Sequence, residues 1–252
     1  MSTVRGPSAE QVEMKHKQML PAWASAWKTM ADYGDQYTVA WAEDELLALE
    51  NIIASTMISK GVSVAVNEAL SRTVLAALMA AVAVPATVAK IASVIDNPWG
   101  ICTSRADDAG KALADVLLQR VHGARPVVLV GFSFGARVVF RCLEELAARG
   151  PNNLGLISDA FIIGGPFDVY QESWQRVRPV VAGKLVNAYS TKDWLLSTVH
   201  RTANMANSIA GLMAVNVDGV TNVDLSDIVD GHLHYPMKMP QIIEKLGLSQ
   251  TT

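Results

Sequence analysis

Cysteine is scarce in this chain: 252 residues contain two, Cys102 and Cys142. Two thiols cannot staple a small secreted scaffold, so the fold must rest on a packed core. They are expected as reduced thiols in a cytosol-facing protein. No Cys/His spacing has the form of a zinc site, and neither a metal nor a cofactor is expected. Net charge is also low. Lys and Arg number 21 against 24 Asp and Glu, and no basic block occurs, so a nucleic-acid partner is not expected. The opening residues, MSTVRGPSAEQVEMKHKQ, lack the apolar core of a secretory leader, and none is expected there. Internal repeats and low-complexity linkers are missing too. One domain over residues 1–252 is the economical organisation.

What the chain has in quantity is apolar surface, with 50% hydrophobic residues. The most concentrated stretch, TVLAALMAAVAVPATVA from Thr73 to Ala89, carries no charge and is bracketed by Arg72 and Lys90. Crossing a bilayer takes about 20 apolar residues. This run is borderline, Ala-rich and interrupted by Pro85. With Lys90 snorkelling, it would extend through Val94 and Ile95. Two readings follow. Either these are helices packed on the domain, or the protein associates with a membrane through about 73–95. The corresponding localisations are membrane-associated and cytosol-facing, or soluble cytoplasmic.

Periodicity predicts a helix over residues 8–32, with Trp23, Trp27 and Met30 on its apolar face. Gln36–Ala42 alternates as a short strand. Glu43–Val94 reads as successive helices, broken near Ser55, Gly61, Ser71 and Pro85. That is long for a single crossover, so an inserted apolar helical hairpin is expected over about 43–95. NPWG, Asn97–Gly100, reads as a turn before a helix at Ala106–Val121. Val127–Val130 is a continuous β-branched run of the buried kind. Further strands are expected at Ile157–Ile163, Lys184–Tyr189 and Asn222–Leu225. Helices are expected at Ala136–Arg149, Glu172–Ala182, Trp194–Leu212 and Pro236–Leu246. Such alternation predicts an α/β fold, a mostly parallel sheet with helices on both faces.

The chemistry concentrates in RPVVLVGFSFGARVVF, where Gly131-Phe132-Ser133-Phe134-Gly135 joins a buried strand to a helix. G-x-S-x-G in that setting is the nucleophile-elbow pattern. At average Gly and Ser usage it arises by chance in roughly one chain in ten of this length, and less often with the flanking elements required. Ser133 must sit in a strained conformation with its Oγ above the sheet edge. Gly131 and Gly135 are expected to remove Cβ atoms that would clash there. The Phe134 N–H, opening the helix, is the expected oxyanion donor. A Gly-rich turn with a passive serine is the competing reading. No Gly-Lys-Ser/Thr follows, so the loop is not a phosphate loop.

A nucleophilic serine needs a base, and the base an orienting carboxylate. The order along such a chain is Ser, acid, His. Asp193 ends KLVNAYSTKD after a strand, and Asp168, after the preceding strand, is its main rival. Asp218 and Asp224 lie late for the acid. His232 follows Gly231, where the chain can turn the imidazole inward, and His234 is expected to begin the last helix. His200 sits mid-helix; His16 and His122 precede the serine.

GFSFGARVVFRCLEELA, IIGGPF, KLVNAYSTKDWLL and DGHLHY together resemble the α/β-hydrolase family designated domain of unknown function 726. The likeness takes in YTVAWAEDELLALEN and VIDNPWG, and so covers about Trp23 to Leu248. It implies an α/β-hydrolase fold, a Ser-Asp-His triad at Ser133, Asp193 and His232, and a hydrophobic helical segment that spans a membrane. Members of that family carry an upstream strand ending in a Gly-Trp-type turn, the expected source of a second oxyanion N–H. No apolar strand precedes Trp23 here, so N-terminal strands and that donor are expected to be missing. Losing one donor costs about 10²–10³ in rate. Two functions are therefore expected in competition. One is a serine hydrolase acting on a small-molecule or lipid ester. The other is a non-catalytic, membrane-associated binding or trafficking protein on a hydrolase fold.

Overall fold

Four strands rich in β-branched and aliphatic residues pair in parallel to form the central sheet. In this computed structural model the described residues are 14–16, 35–58, 85–121, 123, 125–150, 155–202 and 208–248. The chain enters through β1 (Met14–His16) and β2 (Tyr37–Val39), an antiparallel pair separate from the main sheet. Helices α1 (Glu43–Ile58) and α2 (Pro85–Leu118) follow. Then come β3 (Val127–Phe132), α3 (Phe134–Ala148), β4 (Ile157–Ile163), α4 (Gln171–Val177) and β5 (Leu185–Tyr189). The described chain finishes with α5 (Trp194–Thr202), β6 (Val220–Asp224) and α6 (Tyr235–Lys245). Strand order in the main sheet is β3-β4-β5-β6. Phe132 pairs with Ile163, and Tyr189 with Asp224, so the strands end together at their C-terminal edge.

Alternation along each strand sends neighbouring side chains to opposite faces. Leu129, Ile162 and Leu185 join the larger core, with Leu113, Leu117, Val138, Leu143 and Trp174. Phe161, Ile163, Val186 and Ala188 join the smaller core on the other face, under Tyr235, Met239 and Ile242 of α6. Burial of α3 at Val138, Cys142 and Leu146 follows the helical spacing that predicts it. An α/β fold with a parallel sheet and helices on both faces is what the sequence leads one to expect.

Three local expectations are corrected. NPWG is not a turn: α2 runs unbroken through it, with Pro98 inside the helix. The gain lies in packing. The Trp99 ring meets Phe134 at a centroid distance of 4.7 Å, and Cys102, Ala106, Ala109 and Leu113 bury one stripe of the same helix. Tertiary contacts there override local turn propensity. Second, α5 is shorter than expected. Ile209–Leu212 is a turn sewn onto the loop after β4, with Ala210 N–H donating to Phe167 and Gly211 N–H to Gly165. Third, Met14–His16 is a strand inside the stretch read as helix 8–32. The expected face of Trp23, Trp27 and Met30 lies outside the described residues.

Of the apolar stretch 73–95, residues before Pro85 also lie outside the described residues; the remainder forms the first turns of α2. Among the described residues, no helix is long and apolar enough to cross a membrane.

Candidate active site

Ser133 stands between β3 and α3 with φ 54° and ψ −124°. An L side chain adopts that backbone only when its surroundings enforce it. Here the Ser133 N–H donates to the Ile163 carbonyl at 2.9 Å. Its own carbonyl accepts from Ala136 N–H at 2.9 Å and Arg137 N–H at 3.2 Å. The two flanking glycines are not equivalent. A Cβ on Gly131 would lie 2.3 Å from the Gly135 carbonyl oxygen, so only glycine lets strand and helix pinch together. A Cβ on Gly135 would meet nothing within 4 Å, which corrects the expectation of a clash there. Phe134 opens α3, so its N–H has no acceptor within the helix. The expected upstream turn and its second donor concern residues outside the described ones.

Asp193 and His232 arrive from the neighbouring loops. Asp193 follows β5 and is fully buried. Its Oδ1 accepts the Leu196 N–H at 3.1 Å, in the first turn of α5. Its Oδ2 accepts from His232 Nδ1 at 2.6 Å. With that proton on Nδ1, His232 Nε2 presents a lone pair to the Ser133 hydroxyl, 2.8 Å away. The residues singled out as nucleophile, acid and base are thus one hydrogen-bonded chain. His232 opens a short 3₁₀ turn, His232–His234, that runs into α6. Gly231 is extended rather than turned. Its missing Cβ leaves room for the Trp194 indole, whose Nε1 would lie 2.9 Å away.

Residues that sequence reasoning did not single out hold this arrangement. Ser190, fully buried, donates its hydroxyl to the Val229 carbonyl at 2.8 Å. Thr191 N–H donates to Ser226 Oγ at 3.0 Å, and Lys192 Nζ to Asp230 Oδ1 at 3.1 Å. These bonds fasten the aspartate loop to the histidine loop. Both loops are rich in Ser, Thr, Lys and Asp, and nothing in the sequence marks which of these bond across the gap. The G-x-S-x-G pattern leaves the identity of position 132 open. The Phe132 ring stacks on the His232 imidazole at 5.1 Å and meets Tyr235 at 4.8 Å.

The rivals lie elsewhere. Asp168 makes a bridge with Ile209, and one of its carboxylate oxygens accepts from Tyr170 at 3.3 Å. Asp224 accepts the Ser226 N–H at 2.8 Å. His234 packs at the start of α6, its N–H bonded to the Gly231 carbonyl. His200 belongs to α5 and His16 to β1, while His122 lies outside the described residues.

Burial, then the Asp193 and Asp224 carboxylates, push the Tyr235 phenol far above its ordinary value, so it stays neutral. Burial, then Glu45, pushes the Cys102 thiol up to about 11. Burial raises the Cys142 thiol further. Both are unreactive as thiols at neutral pH. Among the described residues, no group of three or more His, Cys, Asp or Glu side chains is placed to hold a metal.

Comparison with known proteins adds relatives. The family model described as protein of unknown function, DUF726, matches residues 11–249. A rice protein named transmembrane and coiled-coil domain-containing protein STS1 is 40% identical over 223 residues, 88% of this chain and 34% of the relative. An uncharacterised membrane protein of Caenorhabditis elegans is 38% identical over 230 residues, 90% of this chain and 37% of the relative. The Saccharomyces cerevisiae protein named probable lipase MIL1 is 38% identical over 220 residues, 86% of this chain and 20% of the relative. The chain thus spans 34% and 37% of the first two relatives' length. No solved structure matches.

Proposed function

The chain belongs to the DUF726 family, and on that premise we propose that it is a serine hydrolase of carboxylic esters or acyl lipids, built on an α/β-hydrolase fold. The domain is read as a single hydrolase-like unit over residues 1–252, with a helical insertion at about 43–95. The observation that carries the reading is the hydrogen-bonded chain from Asp193 through His232 to a Ser133 whose φ is 54°. A passive serine at a βα junction has no need of a strained backbone aimed at a buried His-Asp pair.

In the proposed reaction, Ser133 Oγ attacks the ester carbonyl while its proton passes to His232 Nε2. The carbonyl oxygen becomes an oxyanion and takes a hydrogen bond from the Phe134 N–H. Asp193 fixes the tautomer and stabilises the imidazolium. The intermediate collapses, the C–O bond to the alcohol breaks, and His232 returns the proton to the leaving oxygen. Water, deprotonated by the same imidazole, releases the acyl group and restores Ser133. No metal or cofactor enters any step.

A lipophilic substrate is favoured by the yeast relative's name, probable lipase. The names of other relatives as membrane proteins support membrane association. We assign that association to about 73–95, which holds the uncharged run Thr73–Ala89 of the insertion.

The test is labelling of the purified chain with a fluorophosphonate, beside Ser133→Ala, with the adduct mapped by mass spectrometry. An adduct on Ser133 that disappears in the variant is the expected result. Folded protein that takes no label would overturn the hydrolase reading and leave the non-catalytic, membrane-associated one.

A further inference from the structure

Phe132, the residue between Gly131 and Ser133, has a part beyond spacing. Its ring lies against the His232 imidazole with centroids 5.1 Å apart and planes 28° apart. The same ring meets Tyr235 at 4.8 Å, and Tyr235 reaches His232 at 5.8 Å, so the three rings pack as a triangle. Tyr235 is wholly buried, and its hydroxyl has no hydrogen-bond partner among the described residues. It therefore acts as a rigid aromatic wall rather than as a polar contact to the site.

From this stack we infer that Phe132 is a positioning residue for His232, holding the imidazole plane between Ser133 and Asp193 and stabilising the imidazolium. The inference rests on the serine-hydrolase reading. Two bonds orient the imidazole, to Asp193 and to Ser133, and ring nitrogens direct such bonds along the imidazole plane. Neither resists a tilt out of that plane. A ring packed on the face does. A cation within about 6 Å of an aromatic centroid is also attracted to the ring face, by about 0.5–2 kcal/mol. In the reaction His232 gains positive charge as Ser133 transfers its proton, so the attraction grows along the reaction coordinate.

Labelling rate against pH, with a fluorophosphonate on the full chain, tests this. In that reaction Ser133 Oγ bonds to phosphorus, its proton goes to His232 Nε2, and fluoride leaves. The charged or titratable neighbours are Asp193 on Nδ1, Tyr235 beside the ring with Asp224 acting on its phenol, and the exposed Lys192–Asp230 pair on the flanking loops. The variants leave them unchanged. Phe132→Leu and Phe132→Met remove the ring. Each is expected to move the acid limb of the profile about half a pH unit lower, and to slow labelling at pH 7 by about 3–10-fold. Phe132→Tyr keeps the ring and should restore both. The limb's position is a property of the folded molecules alone, so a partly unfolded sample still reports it. An unmoved limb in the ring-free variants, with wild type labelling normally, overturns the inference and leaves the hydrolase reading intact. So does an equal shift in Phe132→Tyr. A wild-type chain that takes no label overturns both.

Discussion

A methyl group on Gly131 would sit 2.3 Å from a backbone oxygen that cannot move without unwinding the first turn of α3. Gly131→Ala is therefore expected to cost about 1–3 kcal/mol, the range of a forced overpacking. The lower denaturant midpoint would come with lost labelling, because the clash opens the elbow itself. Gly135→Ala is the contrasting case. The added methyl meets open space, and Gly135 lies in the helix with no positive φ. Its stability should hold or rise by about 0.5–1 kcal/mol, as for other glycines replaced in helices. A fall matching that of Gly131→Ala would show that the two glycines do the same work. Asp193→Asn probes the same scale by chemistry. An amide N–H facing Nδ1 forces the proton onto Nε2, which then points a donor at Ser133. Labelling should drop by about 10⁴-fold with the fold retained, measured by initial rates and a thermal melt.

Between elements, the loops carrying Asp193 and His232 must keep register to within a few tenths of an ångström. Ser190 is the buried link between them. Ser190→Ala leaves the Val229 carbonyl without its donor, at a cost of about 1–3 kcal/mol. Labelling should slow in the variant more than its loss of folded protein accounts for, and a rate that follows the folded fraction alone would contradict the clamp. The element scale also shows where the sequence could be read and where not. Ile157–Ile163 lies between β3 and β5 and is buried from Ala160 onward, so its apolar run marks an inner strand, whereas Val127–Phe132 ends the described strand order with Val128 exposed, although its unbroken β-branched run reads as buried. The order Ser, acid, His left Asp168 and Asp193 both open, and it is Asp193, in the loop after β5, that is hydrogen-bonded to His232. Asn97–Gly100 misled because Asn, Pro and Gly carry turn chemistry in isolation, whereas Trp99 has Phe134 to pack on. Ile209 and Ala210 continue an apolar pattern, yet they are buried through bonds to the loop after β4. The stack of Phe132 on His232 brings together residues 100 positions apart along the chain, and the Ser133–His232 bond residues 99 apart. No local pattern records that distance.

At the scale of the whole molecule, the open matter is what the apolar stretch does for a site of this kind. The described helices do not supply a membrane span. The described strands and loops place the serine at the C-terminal edge of a sheet, reached from outside. If substrate arrives from a bilayer, attachment falls to Thr73–Ala89, the longest uncharged run in the sequence. The full chain is then expected to float with phosphatidylcholine vesicles in a density gradient. An aspartate at the centre of a membrane-buried helix costs about 2.5–3.5 kcal/mol, so the pair Leu78→Asp and Val82→Asp should abolish flotation. Fluorophosphonate labelling in detergent-free buffer should survive in that variant, because neither residue belongs to the elbow or its loops. Flotation unchanged by the two charges would move the attachment to another part of the chain. Flotation lost together with labelling would make the insertion part of the folded core around Ser133, and the substrate would then have to reach the site without a membrane anchor at this position.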